Sequence, residues 1–305
     1  MTGPSQRWLS ARAEPLGALL ERAGVAGALG DGRVFVDGRR VTEASLELAP
    51  GARVEVYPAR QNAGVPRIIA ELDGLILVDK PFGMATEPER RGSRGVLTHE
   101  VARLLGLPVA SVHALSRLDL GVSGVVLLGT THAARQRVML WRSEGRLRRR
   151  YVAVASGTPE PLFGEWSANV ASVGGSPKRK LAPDGKPART RFRVTGVGTR
   201  TARGTPCALA LEPLTGRTHQ LRVQSASAGA SFFGDPTYGG PRHLVLSDGA
   251  VRAFERVFLH AAWVELGDSK SRIAAELPPE FSDLWSAAGG AAGALESAVT
   301  VELSA

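Results

Sequence analysis

Asp119 is placed for chemistry in this chain of 305 residues. It stands in the stretch Ser-Val-His-Ala-Leu-Ser-Arg-Leu-Asp-Leu-Gly-Val-Ser-Gly at 111–124, two residues after Arg117 and just before Gly121, Ser123 and Gly124. The apolar run Val125–Leu128 follows, so the carboxylate sits on a tight turn entering a buried strand. Two more polar segments border expected core strands: Arg-Arg-Arg-Tyr at 148–151 and Gly-Arg-Thr-His-Gln-Leu-Arg at 216–222. Such groups are costly to bury unless they find partners. Where the three segments converge, an arginine beside Asp119 favours its ionised form, as nucleophile or electrostatic stabiliser. Tyr151 then offers a ring on which a planar base stacks, as aromatics do for extruded nucleotides.

Composition narrows the classes of partner. The chain carries 38 basic and 29 acidic residues, a formal charge of +9. Its basic residues cluster: Arg135, Arg137, Arg142, Arg146, Arg148, Arg149 and Arg150 stand near Glu144 alone, and Lys178, Arg179, Lys180, Lys186, Arg189, Arg191 and Arg193 near Asp184 alone. Two such clusters flanking one site favour a polyanion, whose phosphates supply most of the affinity. A single cysteine, Cys207, and six histidines without ligand spacing give no metal site. No Gly-x-Gly-x-x-Gly or Walker-type loop supports a nucleotide cofactor. No apolar run approaches the roughly 20 residues of a membrane span, and the amino end lacks a secretory signal. The expectation is a cytoplasmic protein, monomeric because no long amphipathic segment offers a partner surface.

The elements that position these residues read as α+β. Pro15–Ala23 has helical spacing, 32–39 reads as a strand closed by an Asp-Gly turn, and Val54 and Val56 alternate after a Pro-Gly turn. Pro58–Pro66 is a polar connector and Glu87–Gly95 a polar loop. Leu75–Asp79, Val125–Leu128, Tyr151–Ala155, Phe192–Val197, Cys207–Glu212 and part of Phe258–Leu266 read as strands; Thr98–Leu105 and Thr131–Trp141 read as helices. Many strands lie close enough for hairpins, which favours a largely antiparallel central sheet flanked by helices and loops. The expected domains are 1–60, 66–285, and an Ala/Gly-rich tail at 286–305 that frays.

Residues 6–57 resemble the small RNA-binding domain named after ribosomal protein S-four, on Gly-Arg-Val-x-Val-x-Gly and Leu-x-Pro-Gly-x-x-Val-x-Val. Its helical region is poor in basic residues for that family.

Residues 66–282 resemble the RluA-type RNA pseudouridine synthases. Seven segments in family order carry the likeness: Leu-Val-Asp-Lys-Pro-Phe-Gly-Met at 77–84, Ser-Arg-Leu-Asp-Leu-Gly-Val-Ser-Gly at 116–124, Arg-Arg-Tyr at 149–151, Asp-Gly-Lys-Pro-Ala at 184–188, Thr-Gly-Arg-Thr-His-Gln-Leu-Arg at 215–222, Gly-Asp-Pro-Thr-Tyr-Gly at 234–239 and Leu-His-Ala at 259–261. The resemblance implies isomerisation of uridine in structured RNA, ribosomal RNA ahead of transfer RNA, without cofactor or metal. It implies that Asp119 is catalytic, that Arg222 pairs with it, that Tyr151 packs on the base, and that Arg117 fills the space a flipped nucleotide leaves. Arg217, His219 and Gln220 are expected to organise the substrate site, and Lys80 to shape it. Ser116 stands where the family has His, and Val122 where it has Thr. A non-catalytic RNA-binding or ribosome-assembly factor on the same scaffold is the alternative. A hydrolase is a weaker one, for want of a second carboxylate near Asp119.

Overall fold

The computed structural model describes residues 6–30, 33–56, 64–88, 95–201, 204–245, 251–269 and 271–303. Most of the Pro58–Pro66 connector and residues 89–94 of the Glu87–Gly95 loop lie outside them. The chain divides into two compact units, residues 1–65 with 83–112, and 66–82 with 113–305. The sequence reading carries the larger domain unbroken from residue 66, whereas 83–112 fall with the first unit.

In the first unit, Gln6–Leu9, Arg53–Val56, Val34–Val36 and Arg39–Arg40 form an antiparallel sheet in that order. The helix Leu16–Arg22 buries Leu16, Leu19 and Leu20, the face its spacing predicts. Asp37 and Gly38 both take positive φ, as a two-residue hairpin turn of this kind demands.

The second unit is built on one sheet. Its strands are β1 (Arg67–Leu72), β2 (Leu75–Lys80), β3 (Ser123–Gly129), β4 (Leu147–Ala155), β5 (Phe163–Ser172), β6 (Arg179–Leu181), β7 (Lys186–Val197), β8 (Cys207–Pro213), β9 (Leu259–Leu266) and β10 (Arg272–Ala274). The order is β6-β5-β7-β8-β4-β9-β3-β2-β1, with β10 beside β9 and the two-residue strand His113–Ala114 antiparallel beside β3. Every neighbouring pair is antiparallel except β3 with β9. The helices are α1 (His132–Ser143), α2 (Gln220–Ser227), α3 (Pro279–Ala287) and α4 (Ala294–Thr300). Thr131 caps α1 by accepting the Ala134 N–H at 3.1 Å.

Register brings distant segments to one level. Lys80 pairs with Gly124, Gly124 with Ala261, Ala261 with Tyr151, and Tyr151 with Leu211. Thus Tyr151 lies two strands from the residue where the Asp119 turn enters β3. Gly124 has φ +110°, and a Cβ there would lie 2.2 Å from the Ala261 carbonyl oxygen. Only glycine lets β3 approach β9 so closely.

The tail is ordered through Leu303, against the expectation of fraying. Ala294, Leu295 and Ala298 of α4 and Leu303 are buried with Trp263, Phe281 and Trp285. Small side chains let α4 lie close on the sheet, and polar bonds lock it there. Arg150, with no exposure, donates to the carbonyls of Ala298 at 3.2 Å and Val301 at 2.6 Å. The Trp263 indole donates to Val299 O at 2.8 Å. Leu295→Ala is therefore expected to cost about 2–5 kcal/mol of unfolding free energy in urea denaturation; a frayed tail would give no change.

Candidate active site

The Asp119 turn is held from both ends. The Val122 N–H donates to Asp119 O at 3.0 Å, closing the turn, and Gly121 O accepts Val257 N–H at 3.0 Å. Ser123 Oγ lies 2.8 Å from His260 Nδ1 and accepts from Arg256. Burial, and then the Arg256 charge, push His260 down to about 3, so the ring is neutral and Ser123 donates to it. Ser116 Oγ accepts Leu127 N–H at 2.8 Å, tying the segment before the turn to β3. Val122 is buried.

Arg222 is the third residue of α2. Its Nη1 donates to Asp119 Oδ2 at 2.7 Å. Its Nε and Nη2 donate to the two oxygens of Asp235, each at 2.7 Å. One guanidinium fork thus joins two carboxylates, a geometry that arginine's planar set of donors suits. Asp235 is fully enclosed, with a side chain 1% exposed, while that of Asp119 is 26% exposed. Asp235 anchors the arginine, and Asp119 faces outward. Burial opposes the charge on Arg222, but its bonds to Asp235 and the charges of Asp119 and Asp235 outweigh that and raise its pKa.

His219 precedes α2 with φ +58° and ψ 15°, a strained backbone for a non-glycine residue. Gln220 holds the strain: its Oε1 accepts from Thr215 Oγ1 at 2.8 Å and Arg217 N–H at 3.0 Å, and its Nε2 donates to Arg189 O at 2.9 Å and Thr190 Oγ1 at 3.0 Å. His219 Nε2 then lies 3.7 Å from Asp119 Oδ2. Its Nδ1 lies 2.9 Å from the hydroxyl of Tyr238, whose ring packs beneath Arg222 with 5.1 Å from Cζ to centroid. Burial lowers the His219 pKa, partly countered by the Asp119 charge. Tyr151 is buried, and that burial raises its phenol pKa; Arg149 opposes the rise, and the Asp119 charge adds to it. The phenol is therefore neutral and within electrostatic reach of Asp119.

Residues 74–227 match the sequence profile of the RNA pseudouridylate synthase family. An uncharacterized RNA pseudouridine synthase of Chloroflexus aurantiacus is 31% identical over 274 residues, 83% of this chain and 79% of that protein. The dual-specificity RNA pseudouridine synthase RluA of Escherichia coli is 29% identical over 197 residues, 64% of this chain and 83% of RluA. The chain belongs to the RluA-type RNA pseudouridine synthases. It is an isomerase acting on uridine in RNA. Among solved structures, human RNA pseudouridylate synthase domain containing 4 shares the fold, with TM-score 0.57 and 21% identity, over 74% of this chain and 94% of that one. The corresponding human domain containing 1 gives 0.56 and 21%, over 72% and 89%.

The synthase brings Asp119, Arg222, His219 and Tyr151 into one region, while Lys80 and Gln220, expected to shape and organise the site, are buried. Lys80 has no exposure, and its Nζ donates to Pro81 O at 3.0 Å, bracing the end of β2. Gln220 is likewise buried and fully hydrogen-bonded, a loop organiser. Arg117 is exposed next to the turn. Arg217 is exposed, with Nε on Pro187 O at 3.0 Å. His113 is exposed opposite Gly129. Asp235 and Tyr238 were not singled out by the sequence reading; their signal was the Gly-Asp-Pro-Thr-Tyr-Gly segment, which reads as a turn. A second carboxylate is thus present near Asp119, but both its oxygens are taken by Arg222.

Arg146, Arg148 and Arg150 of the first basic cluster are paired with acids within the fold. Arg148 contacts Glu212, Glu265 and Glu302; Arg150 contacts Glu212; Arg146 contacts Glu144 and Asp268. In the second cluster Arg189 pairs with Glu165, whereas Lys178, Lys180 and Lys186 are exposed. Among the described residues no group of three His, Cys, Asp or Glu side chains is arranged to hold a metal, and no helix is long and apolar enough to cross a membrane.

Removing Asp235 strands a buried guanidinium. Asp235→Ala is expected to destabilise the synthase by about 3–5 kcal/mol in urea denaturation; a loss below about 1 kcal/mol, the scale of an exposed pair, would show that Asp235 does not anchor Arg222.

Proposed function

We propose that Asp119 is the catalytic carboxylate of the isomerisation, with Arg222 its positioning partner and Tyr151 the group that receives the base. The observation carrying this reading is the 2.7 Å bond from Arg222 to Asp119, made by an arginine itself anchored on Asp235. The contacts of Arg222 and His219 both fall on Oδ2, which leaves Oδ1 to face substrate.

In this reading the target uridine leaves its helix and enters beside Tyr151, with Arg117 filling the space it vacates. The N1–C1′ bond breaks, and its electron pair leaves with uracil. Asp119 Oδ1 meets the positive charge that develops at C1′. The uracil turns while held on the Tyr151 ring, and its carbon 5 forms the new bond to C1′. The proton displaced from carbon 5 ends on N1, relayed by the neutral Tyr151 hydroxyl. Formula and oxidation state are unchanged, so the rearrangement calls for no redox or group-donating cofactor.

The substrate is proposed to be structured RNA, ribosomal ahead of transfer RNA, met by a monomeric cytoplasmic enzyme. The exposed lysines at 178, 180 and 186 and the S-four-like pattern of the first unit support that reading.

Asp119→Asn keeps the size of the side chain and removes its charge. With total RNA from a strain lacking the protein, base-resolution mapping is expected to show pseudouridine formed by the wild type and none by the variant. RNA affinity is expected to stay within about threefold, because phosphate contacts dominate it. Pseudouridine formed at the wild-type rate by Asp119→Asn would refute the assignment.

A further inference from the structure

The hairpin of β5 and β6 has a basic tip, and its backbone reaches the catalytic group through two side chains. Arg179 N–H, at the start of β6, donates to the Tyr238 hydroxyl at 2.8 Å. That hydroxyl lies 2.9 Å from His219 Nδ1, and His219 Nε2 lies 3.7 Å from Asp119 Oδ2. Since the hydroxyl accepts from Arg179, its own proton is left for Nδ1. That arrangement is met by the His219 tautomer with hydrogen on Nε2, the ring nitrogen 3.7 Å from Asp119 Oδ2. Burial, which disfavours protonated His219, agrees with that neutral form.

The Tyr238 ring is held as firmly as its hydroxyl. It meets the His219 ring edge to face at 5.7 Å between centroids, lies under Arg222, and has the Lys178 ammonium 5.8 Å from its centre. Tyr238 thus touches both partners of Asp119 and two adjacent residues, Lys178 and Arg179, at the β6 end of the hairpin turn. Lys178 and Lys180, on either side of the Arg179 anchor, are exposed. A phosphate drawn to them bears on the same short piece of backbone that holds Tyr238.

We infer that Tyr238 is a positioning residue linking the basic hairpin to Asp119 through His219, so that RNA contact at Lys178 and Lys180 sets the placement of the catalytic carboxylate. This rests on the assignment of Asp119 above. It gives the enzyme a reason to turn over only RNA that engages the hairpin as well as the pocket. Binding energy away from the reacting base is then expressed in the rate of the chemical step.

The test is single-turnover release of tritium from total RNA labelled at carbon 5 of uridine, taken from a strain lacking the protein, with protein in excess. It yields a maximal rate and a half-saturating protein concentration. Tyr238→Phe keeps the ring and removes the hydroxyl. Its maximal rate is expected to fall about tenfold, the scale of one hydrogen bond at a charged site, with half-saturation within about twofold. His219→Gln, a second route to the same break, is expected to do likewise, and the double variant to be no slower than either. Lys178→Ala with Lys180→Ala is expected to lower the maximal rate in the wild-type background and to raise only half-saturation in Tyr238→Phe. A Tyr238→Phe rate equal to wild type, or a lysine effect on rate equal in both backgrounds, would overturn the inference. Asp119→Asn run alongside separates the two levels: release by that variant would refute the catalytic assignment, whereas its silence beside a wild-type Tyr238→Phe would refute the link alone.

Discussion

One guanidinium holds the candidate active site together. Arg222 shares its donors between Asp119, on the turn before β3, and Asp235, in the loop after α2. Neither Asp235 nor Arg222 suits its place alone. Asp235 would be an enclosed charge, and Arg222 a buried cation without a counter-charge, each costly by itself. Together they form a rigid seat, and the exposed part of Asp119 is what remains for chemistry. A lysine in the same place could not reach both carboxylates with a planar fork.

The sheet supplies the distances that this pairing needs. The row Lys80, Gly124, Ala261, Tyr151, Leu211 crosses five strands at one level. Gly124 and Ala261, the two members with almost no side chain, separate Tyr151 from Lys80. Because β3 and β9 run parallel here, the Asp119 turn enters at the same end of the sheet as the segment 256–258, which also holds the Asp235 loop through Phe258 N–H on Phe233 O at 2.9 Å. The two carboxylate loops are thus fixed to one stretch of backbone before Arg222 joins them.

Asp119, Tyr151 and Arg222 were legible in the sequence because each polar segment adjoins an apolar run and matches a family motif. Asp235 was not, since Asp-Pro in a Gly-rich segment reads as turn chemistry, and nothing local says that its carboxylate is enclosed. Tyr238 was missed for the same reason. The basic run at 146–150 was read as a partner surface because its acids, Glu212, Glu265 and Glu302, lie far along the chain and meet it only in the fold. The tail was misread because alanine and glycine show no bulky periodicity, yet it is their small size that lets α4 lie close to the sheet.

The claim that Arg222 orients the catalytic carboxylate is tested most directly by Arg222→Lys in single-turnover isomerisation of carbon-5-tritiated RNA. Charge is kept and the fork is lost. The maximal rate is expected to fall on the order of a hundredfold or more, with RNA affinity within about threefold. A lysine variant that turns over at the wild-type rate, or that loses RNA binding while keeping its rate at saturation, would contradict the account.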